Sequence, residues 1–250
     1  MIMQTLEKKQ ALSLKEIIQL TGASRDTARR DIVKLAENNL IQRTYGGISL
    51  PQSFKQLDDY LQRSVEGHVE KQQLAKVAGE MVYGSQTIYL DVSTTISYIP
   101  QYLTDSENIL AVTNSIDIAD QLLRNSTSKT RMLGGNLDRE KRCVNGTRPL
   151  MELEQYTFDI AFLSVVGIDS GGVYYAYEED LDMKNKLREQ TAKLVLLADH
   201  RKINQAHYFK AYSWDQVDIL ITNEALPKEL SKILEKQKVE VFYAGGKPND

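Results

Sequence analysis

Apolar positions recur at helical spacing twice near the start of the chain, then at strand spacing. In Leu14 to Leu20 the apolar residues are Ile17, Ile18 and Leu20, and Ser13-Leu14-Lys15-Glu16 ahead of them has the spacing of a capping box. Thr21-Gly22-Ala23 follows, with Gly22 free to take the positive φ that ends a helix, and Ser24 can cap the next one. In that second helix, at about 100° per residue, Ala28, Ile32 and Leu35 share one side, whereas Asp26, Arg29, Arg30 and Val33 share the other. Leu40 to Ile48 then reads as two short strands around a tight turn at Tyr45-Gly46.

Leu50-Pro51-Gln52-Ser53 breaks the pattern, and the polar stretch to Gly67 reads as a linker. The expected division is therefore a head over 1–50, a linker over 51–67 and a second domain over 68–250. That domain opens on a helix, Val69 to Val82, ending at Gly84. Seven short apolar runs alternate with helical stretches: Thr87 to Leu90, Ile109 to Val112, Arg131 to Leu133, Ile160 to Val165, Leu194 to Ala198, Ile219 to Ile221 and Val239 to Tyr243. Strands joined by helices predict a mostly parallel α/β sheet.

Helix, glycine turn, helix and a two-stranded wing are the order of a winged helix-turn-helix, whose second helix enters the DNA major groove. The candidate DNA contacts are Ser24, Arg25, Asp26, Thr27, Arg29 and Arg30, with Arg43 reaching phosphate from the wing. Arginine suits the place because its planar fork holds a guanine edge or a phosphate with two hydrogen bonds. Charge agrees: residues 1–50 carry eight Lys and Arg against five acids, a net +3, in a chain of net −3, which leaves −6 on the rest. An acidic protein with a basic head presents only the head to phosphates. The alternative for these residues is a small helical interaction module with solvated arginines.

Polar and glycine residues gather after the apolar runs: Asp91-Val92-Ser93-Thr94-Thr95, Thr113-Asn114-Ser115, Gly134-Gly135-Asn136, Gly167-Ile168-Asp169, Asp199-His200-Arg201-Lys202 and Thr222-Asn223. In open parallel sheets, ligands bind beyond the carboxyl ends of the strands, so these clusters are expected to line one pocket. Ser93-Thr94-Thr95 is expected where a helix begins, offering hydroxyls and N–H groups to a phosphate, although the same tract reads as an ordinary N-cap. Lys184 and Lys202 are the candidates for the positive charge a phosphate requires. One cysteine, Cys143, and three histidines predict neither a disulfide nor a metal site, and no cofactor is expected. The chain has no signal-like start and no apolar run near membrane-spanning length, so a soluble cytoplasmic protein without membrane contact is expected.

Taken together, the motifs resemble the DeoR family of bacterial transcriptional repressors over nearly the whole chain. Thr27-Ala28-Arg29-Arg30-Asp31-Ile32 is similar to the family's T-V-R-R-D-L signature, and Leu40 to Gly47 to its L-L-x-R-x-H-G-G wing. Glu70-Lys71, Leu90 to Thr95, Thr113 to Ser115, Leu133 to Gly135, Gly167 to Asp169, Glu178-Glu179, Lys184 and Ala198 to Lys202 follow in family order. The resemblance implies a sensor domain related in fold to ribose-5-phosphate isomerase and the coenzyme A transferases, binding a phosphorylated sugar or related metabolite. It makes Asp91, Ser93, Thr94, Thr95, Thr113, Asn114, Gly134, Gly135, Asp169, Glu179, Lys184, Asp199 and Lys202 the effector-pocket candidates. It further implies double-stranded operator DNA as partner and, since one head covers few base pairs, a homodimer or homotetramer. Ser93 departs from the family's glycine and Tyr45 from its wing histidine. The family's first helix also normally begins earlier, with basic residues before Ile2 to Leu6. The competing function is a sugar-phosphate isomerase-like enzyme with an added DNA-binding domain, in which Glu179 or Asp169 would serve as base.

Overall fold

The computed structural model describes residues 2, 5, 11–37, 41–44, 47–49, 60–103 and 106–246. The chain forms two compact units, Met1–Leu57 and Asp58–Asp250.

In the first unit, helices α1 (Leu14–Thr21) and α2 (Arg25–Glu37) pack on a three-stranded antiparallel sheet of β1 (Ala11–Ser13), β2 (Gln42–Thr44) and β3 (Gly47–Ser49), in the order β1-β3-β2. The capping box forms: Ser13 Oγ accepts from the Glu16 backbone N–H at 3.2 Å, and the Glu16 carboxylate accepts from the Ser13 N–H at 2.9 Å. Gly22, at φ +67, ends α1 by donating its N–H to the Ile18 carbonyl. Leu12, Ile17, Ala28, Ile32, Ile41 and Ile48 are the buried core. Strand β1 is not foreseen from the sequence, because three residues, Ala11–Ser13, are too few to show an alternation. Pairing with β3 requires Gly47: an added Cβ there would stand 2.2 Å from the Leu12 carbonyl oxygen. Tyr45, Gly46 and most of residues 1–10, on which the expectations for the wing tip and the first helix fall, lie outside the described residues.

The second unit opens on α3 (Tyr60–Val65) and α4 (His68–Gly79). Residues 60–67, expected as linker, are thus mostly helical, with Tyr60 5% exposed. All seven foreseen strands are present and form one parallel sheet of β4 (Thr87–Leu90), β5 (Leu110–Thr113), β6 (Lys129–Met132), β9 (Phe158–Ser164), β12 (Thr191–Ala198), β14 (Ile219–Thr222) and β15 (Glu240–Tyr243). Their order is β15-β14-β12-β9-β4-β5-β6. The long apolar runs follow from burial on both faces: Leu194, Leu196 and Ala198 of β12 enter one core, and Val195 and Leu197 the other. Helix α5 (Ile116–Asn125) follows β5, and α6 (Thr147–Leu153), α7 (Glu179–Gln190) and α8 (Lys228–Lys236) precede β9, β12 and β15.

From β4 the chain builds outward through β5 to β6, then returns to β9 on the other side of β4 and builds away through β12, β14 and β15. The order reverses between β4 and β9, and such a switch point opens a crevice at the strands' carboxyl ends. Two small antiparallel pieces decorate the sheet: a hairpin of β7 (Asn136–Asp138) and β8 (Cys143–Asn145), and a sheet of β10 (Gly167–Asp169), β11 (Gly172–Tyr175) and β13 (Phe209–Tyr212). Gly167-Ile168-Asp169, expected as a strand-end cluster, is itself β10, because the chain turns into a hairpin after β9 ends at Ser164.

Replacing Ser13 by alanine removes the hydroxyl half of the capping box, and α1 is short enough to depend on it. Ser13→Ala is expected to cost the first unit about 1 kcal/mol. A calorimetric scan of the full chain checks this: the head's transition falls while that of the second unit stays in place.

Candidate functional site

Two surfaces carry the candidate chemistry. On the first unit, Ser24 Oγ accepts from the Thr27 N–H at 3.2 Å and fixes the start of α2. Arg25, Asp26, Thr27, Arg29 and Arg30 are all exposed, while Ala28 and Ile32 turn inward. Arg43 lies in β2 opposite Ile48, and its side chain is outside the described residues. The face expected to meet DNA is therefore built by one capped helix whose apolar stripe holds it from behind.

The second surface is the crevice at the switch point. The loop Asp91 to Thr95 leaves β4 there, and Asp91, Ser93, Thr94 and Thr95 are all buried. A turn of 3-10 helix, Ile96–Tyr102, follows in place of an α-helix and carries Pro100 within it. Ser93 Oγ accepts from the Thr95 N–H at 3.0 Å, so the serine that replaces the family's glycine braces its own loop. The neighbouring strand end holds that loop. Thr113 donates its hydroxyl to the Leu90 carbonyl at 2.6 Å, and Asn114 Oδ1 accepts from the Val92 N–H at 3.2 Å. Among the described residues, Thr95 Oγ1, Thr222 Oγ1 and Asp91 Oδ1 are buried without a hydrogen-bond partner. Buried polar atoms are nearly always bonded, so these strand ends retain capacity for hydrogen bonds.

Cations collect beside the loop. Lys202, in the 3-10 turn His200–Lys202 after β12, donates its Nζ to Ser164 Oγ at 2.7 Å at the end of β9. Lys71 of α4, 4% exposed, donates its ammonium to the Arg63 carbonyl. Burial, together with the charges of Lys71, Arg63 and Arg201, brings Lys202 down to about 8 against the pull of Asp199. Burial first, then Arg201 and Arg63, bring Lys71 down to about 8 as well. Asp199 does not balance them alone. Arg201 grips both its oxygens, with Nε at 3.0 Å and Nη2 at 2.8 Å. Burial acts to raise the Asp199 carboxyl, yet Lys202 and Arg201 hold it below the usual carboxylate range. Lys71, Lys202, Arg201 and Arg63 thus sense one another's charge, with Asp199, Glu66 and Glu70 as the opposing carboxylates, and four cations among three carboxylates are a setting that suits an anion.

The remaining candidates are engaged within the protein. Lys184 is not a second free cation: its Nζ donates to Asp91 Oδ2 at 2.6 Å, the side chains being 5% and 2% exposed. Asp91 itself is raised by burial, with Lys184 opposing. Glu179 is an exposed residue paired with Lys141 at 2.7 Å. Asp169 Oδ1 accepts from the N–H groups of Gly171 and Gly172 and from the Tyr174 hydroxyl, which commits it to the β10–β11 turn. Gly134 donates its N–H to Glu152 at 2.9 Å, and Gly135, at φ +154, has no room for a side chain beside Val144, Asn145 and Pro149. Cys143 is buried, its thiol pushed up to about 12 by that burial. No group of histidine, cysteine and carboxylate side chains among the described residues could hold a metal ion. Ser164 and Arg63 are absent from the candidates named by sequence, while Arg201 stands in an expected strand-end cluster and Lys71 in a family landmark, though neither is among the effector-pocket candidates. Lys71 was detectable, since it falls on the buried stripe of α4 with Leu74, Ala75 and Ala78, an unusual position for lysine.

The chain matches the DeoR-like helix-turn-helix domain over residues 1–54 and the DeoR C-terminal sensor domain over residues 66–224. It is 32% identical over 241 residues to the HTH-type transcriptional repressor GlcR of Bacillus subtilis, spanning 96% of this chain and 93% of that one. It is 25% identical over 241 residues to the glycerol-3-phosphate regulon repressor of Escherichia coli, spanning 96% and 95%. A solved structure of D-ribose-5-phosphate isomerase in complex with phospho-erythronic acid is similar at a TM-score of 0.39 and 16% identity, over 53% of this chain and 52% of that one. With a capped basic helix in the head and a parallel α/β sensor behind it, the chain belongs to the DeoR family and is, like the relatives so named, a DNA-binding transcriptional repressor.

Proposed function

We propose that this repressor controls a carbohydrate-metabolism operon, and that a phosphorylated sugar or related metabolite bound in the switch-point crevice sets its hold on double-stranded operator DNA. The observation that carries this reading is the cation cluster beside Asp199, in which Lys71 is buried, Lys202 and Arg63 are half-buried and Arg201 is exposed. Buried like charges are costly, and a dianion among them removes the cost. A phosphoryl group supplies that dianion, and the polyhydroxyl remainder suits the unpartnered Thr95 and Thr222 hydroxyls. The relative named for the glycerol-3-phosphate regulon points to the same ligand chemistry. The two carboxylates that an isomerase reading takes as base, Glu179 and Asp169, are engaged with Lys141 and with the hairpin turn. A homodimer or homotetramer lets paired heads read paired half-sites. No described helix is long and apolar enough to cross a membrane, and a cytoplasmic location fits a DNA-binding protein.

On the DNA side, Arg29→Ala and Arg30→Ala are expected to weaken operator binding without unfolding the protein. A lost phosphate contact lowers the salt slope by about one unit, and a lost base contact costs about 1–3 kcal/mol of discrimination. Gel-shift titrations at two salt concentrations separate the two.

In the sensor, Lys202→Ala is expected to leave operator affinity intact while raising the sugar-phosphate concentration needed for the response by about tenfold or more, since charge-assisted bonds contribute about 1.5–3 kcal/mol each. Dose-response gel shifts with a panel of sugar phosphates measure it; coincident wild-type and mutant curves would remove Lys202 from the site.

The lowered lysines give a pH signature. Both titrate near 8 in the folded chain, below the 10.5 of a free lysine. Their burial therefore costs stability in full below pH 8, and that cost fades as pH rises towards 10.5, so the ligand-free sensor gains stability across the window. Anion affinity runs the opposite way and falls as the ammonium groups lose their protons. Titration calorimetry of inorganic phosphate at pH 8.5, in two buffers of different ionisation heat, is expected to show proton uptake on binding.

A further inference from the structure

The outward face of α2 carries one carboxylate among its arginines. Asp26 stands in the first turn of the helix, just after the Ser24 that caps it, and is exposed together with Arg25, Arg29 and Arg30. Among the described residues its carboxylate has neither a hydrogen-bond nor an ion-pair partner, although Arg29 and Arg30 follow at the spacings of three and four residues at which a helix pairs such side chains. The core sets the direction it faces. Ala28 and Ile32 are buried, with Leu35 packed against them, and the side of the helix opposite them falls on Asp26 and Arg30. At about 100° per residue, Arg30 lies about 40° to one side of Asp26, while Arg29 lies about 60° to the other. An acid with a guanidinium on either hand therefore points away from the head, and all three groups are free to meet a partner.

A carboxylate in this place does not serve affinity. Binding to a duplex rests on neutralising phosphates, and an acid in the contact face subtracts from that term. It is favourable only where it meets a hydrogen-bond donor. Along the floor of the major groove, guanine shows two acceptors, thymine an acceptor and a methyl group, and adenine an acceptor beside its amino group. Cytosine alone shows an amino donor with no acceptor beside it. An ionised carboxylate only accepts, so it fits the cytosine edge and is repelled by the acceptors of the other three. Rejection of wrong partners through unpaired or opposed charge is a general source of specificity. An acid in the first turn also favours the helix through its dipole, but that role leaves base preference untouched.

We propose that Asp26 is a specificity-determining residue of the operator contact: its carboxylate accepts a hydrogen bond from the amino group of a cytosine in the half-site, with Arg30 one turn further along against a neighbouring base, and it disfavours duplexes that present an acceptor in its place. The proposal rests on the reading of α2 as the DNA-facing helix. The test is selection from a library of random duplexes with the full chain as wild type, Asp26→Asn, Asp26→Ala and Arg29→Ala. Gel shifts on the selected duplex and its single-base variants then give relative affinities, and melting temperatures confirm that each variant is folded. The wild type is expected to select cytosine at one position of the half-site, by about tenfold over the other bases. Asp26→Asn is expected to move the preference at that position to adenine, whose edge an amide matches with two hydrogen bonds. Asp26→Ala is expected to flatten that position alone, and to bind an unrelated duplex more tightly than the wild type, since a charge repelled by phosphates is gone. A selected sequence unchanged in both Asp26 variants would overturn the assignment, and so would loss of preference at every position, which makes Asp26 a brace for its arginines. Weaker binding by Arg29→Ala in either case leaves the DNA face standing without this role; wild-type binding and selection by all three variants would remove the face and the assignment with it.

Discussion

The second unit is organised around the ion pair of Lys184 with Asp91. The two groups come from α7 and from the end of β4, and they meet where almost no water reaches either. An ion pair so buried gives up two hydration shells, and removing one partner leaves an uncompensated charge behind. The surrounding structure is arranged to keep both. Tyr212 donates its hydroxyl to the Lys184 carbonyl at 2.6 Å, the Tyr175 ring lies 5.0 Å from the ammonium, and Tyr175 bonds the Ser164 carbonyl at 2.9 Å. The small antiparallel sheet and the main sheet are therefore joined through the same pair. Its position also fixes where the crevice loop starts, since Asp91 is the loop's first residue.

That pair explains why Lys184, Lys71 and Lys202, each buried or half-buried, differ in their chemistry. Lys184 has a carboxylate to itself and is neutralised within the protein. Lys71 and Lys202 share Asp199 with Arg201, whose planar fork occupies both carboxylate oxygens. The positive charge left over is concentrated where the strand order reverses. On the function proposed above, this crevice discriminates by charge at its inner end and leaves hydroxyl recognition to the threonines around it.

Much of this could be read from residues alone, for physical reasons that differ from place to place. The seven sheet strands announce themselves because a parallel sheet buried on both faces needs continuous apolar runs. The capping box at Ser13 and Glu16, the turn at Gly22 and the inward stripe of Ala28 and Ile32 are local signals that survive folding unchanged. What stayed hidden depends on contacts between distant positions. Strand β1 pairs with β3 only because Gly47 lets a backbone approach, and α3 stands on the buried Tyr60, whose partner Asp117 is far along the chain. Of the candidate pocket, the Asp91 to Thr95 loop, Thr113, Asn114, Asp199 and Lys202 lie at the crevice as expected. Asp169 is engaged by the β10–β11 hairpin and Glu179 by a surface pair with Lys141. Lys71 is a lysine where the helical stripe calls for an apolar residue, and that misfit was the available clue.

In α2, the residues that face outward and those that hold the helix in place do not overlap. Ala28 and Ile32 fill the core, while Arg25, Asp26, Thr27, Arg29 and Arg30 contribute nothing to it. Exposed substitutions away from caps and cores usually change stability by less than about 0.5 kcal/mol. If this face reads the operator, as proposed, sequence preference is free to drift: a descendant of this chain acquires a different operator through a handful of surface changes, with no compensating repair of the head.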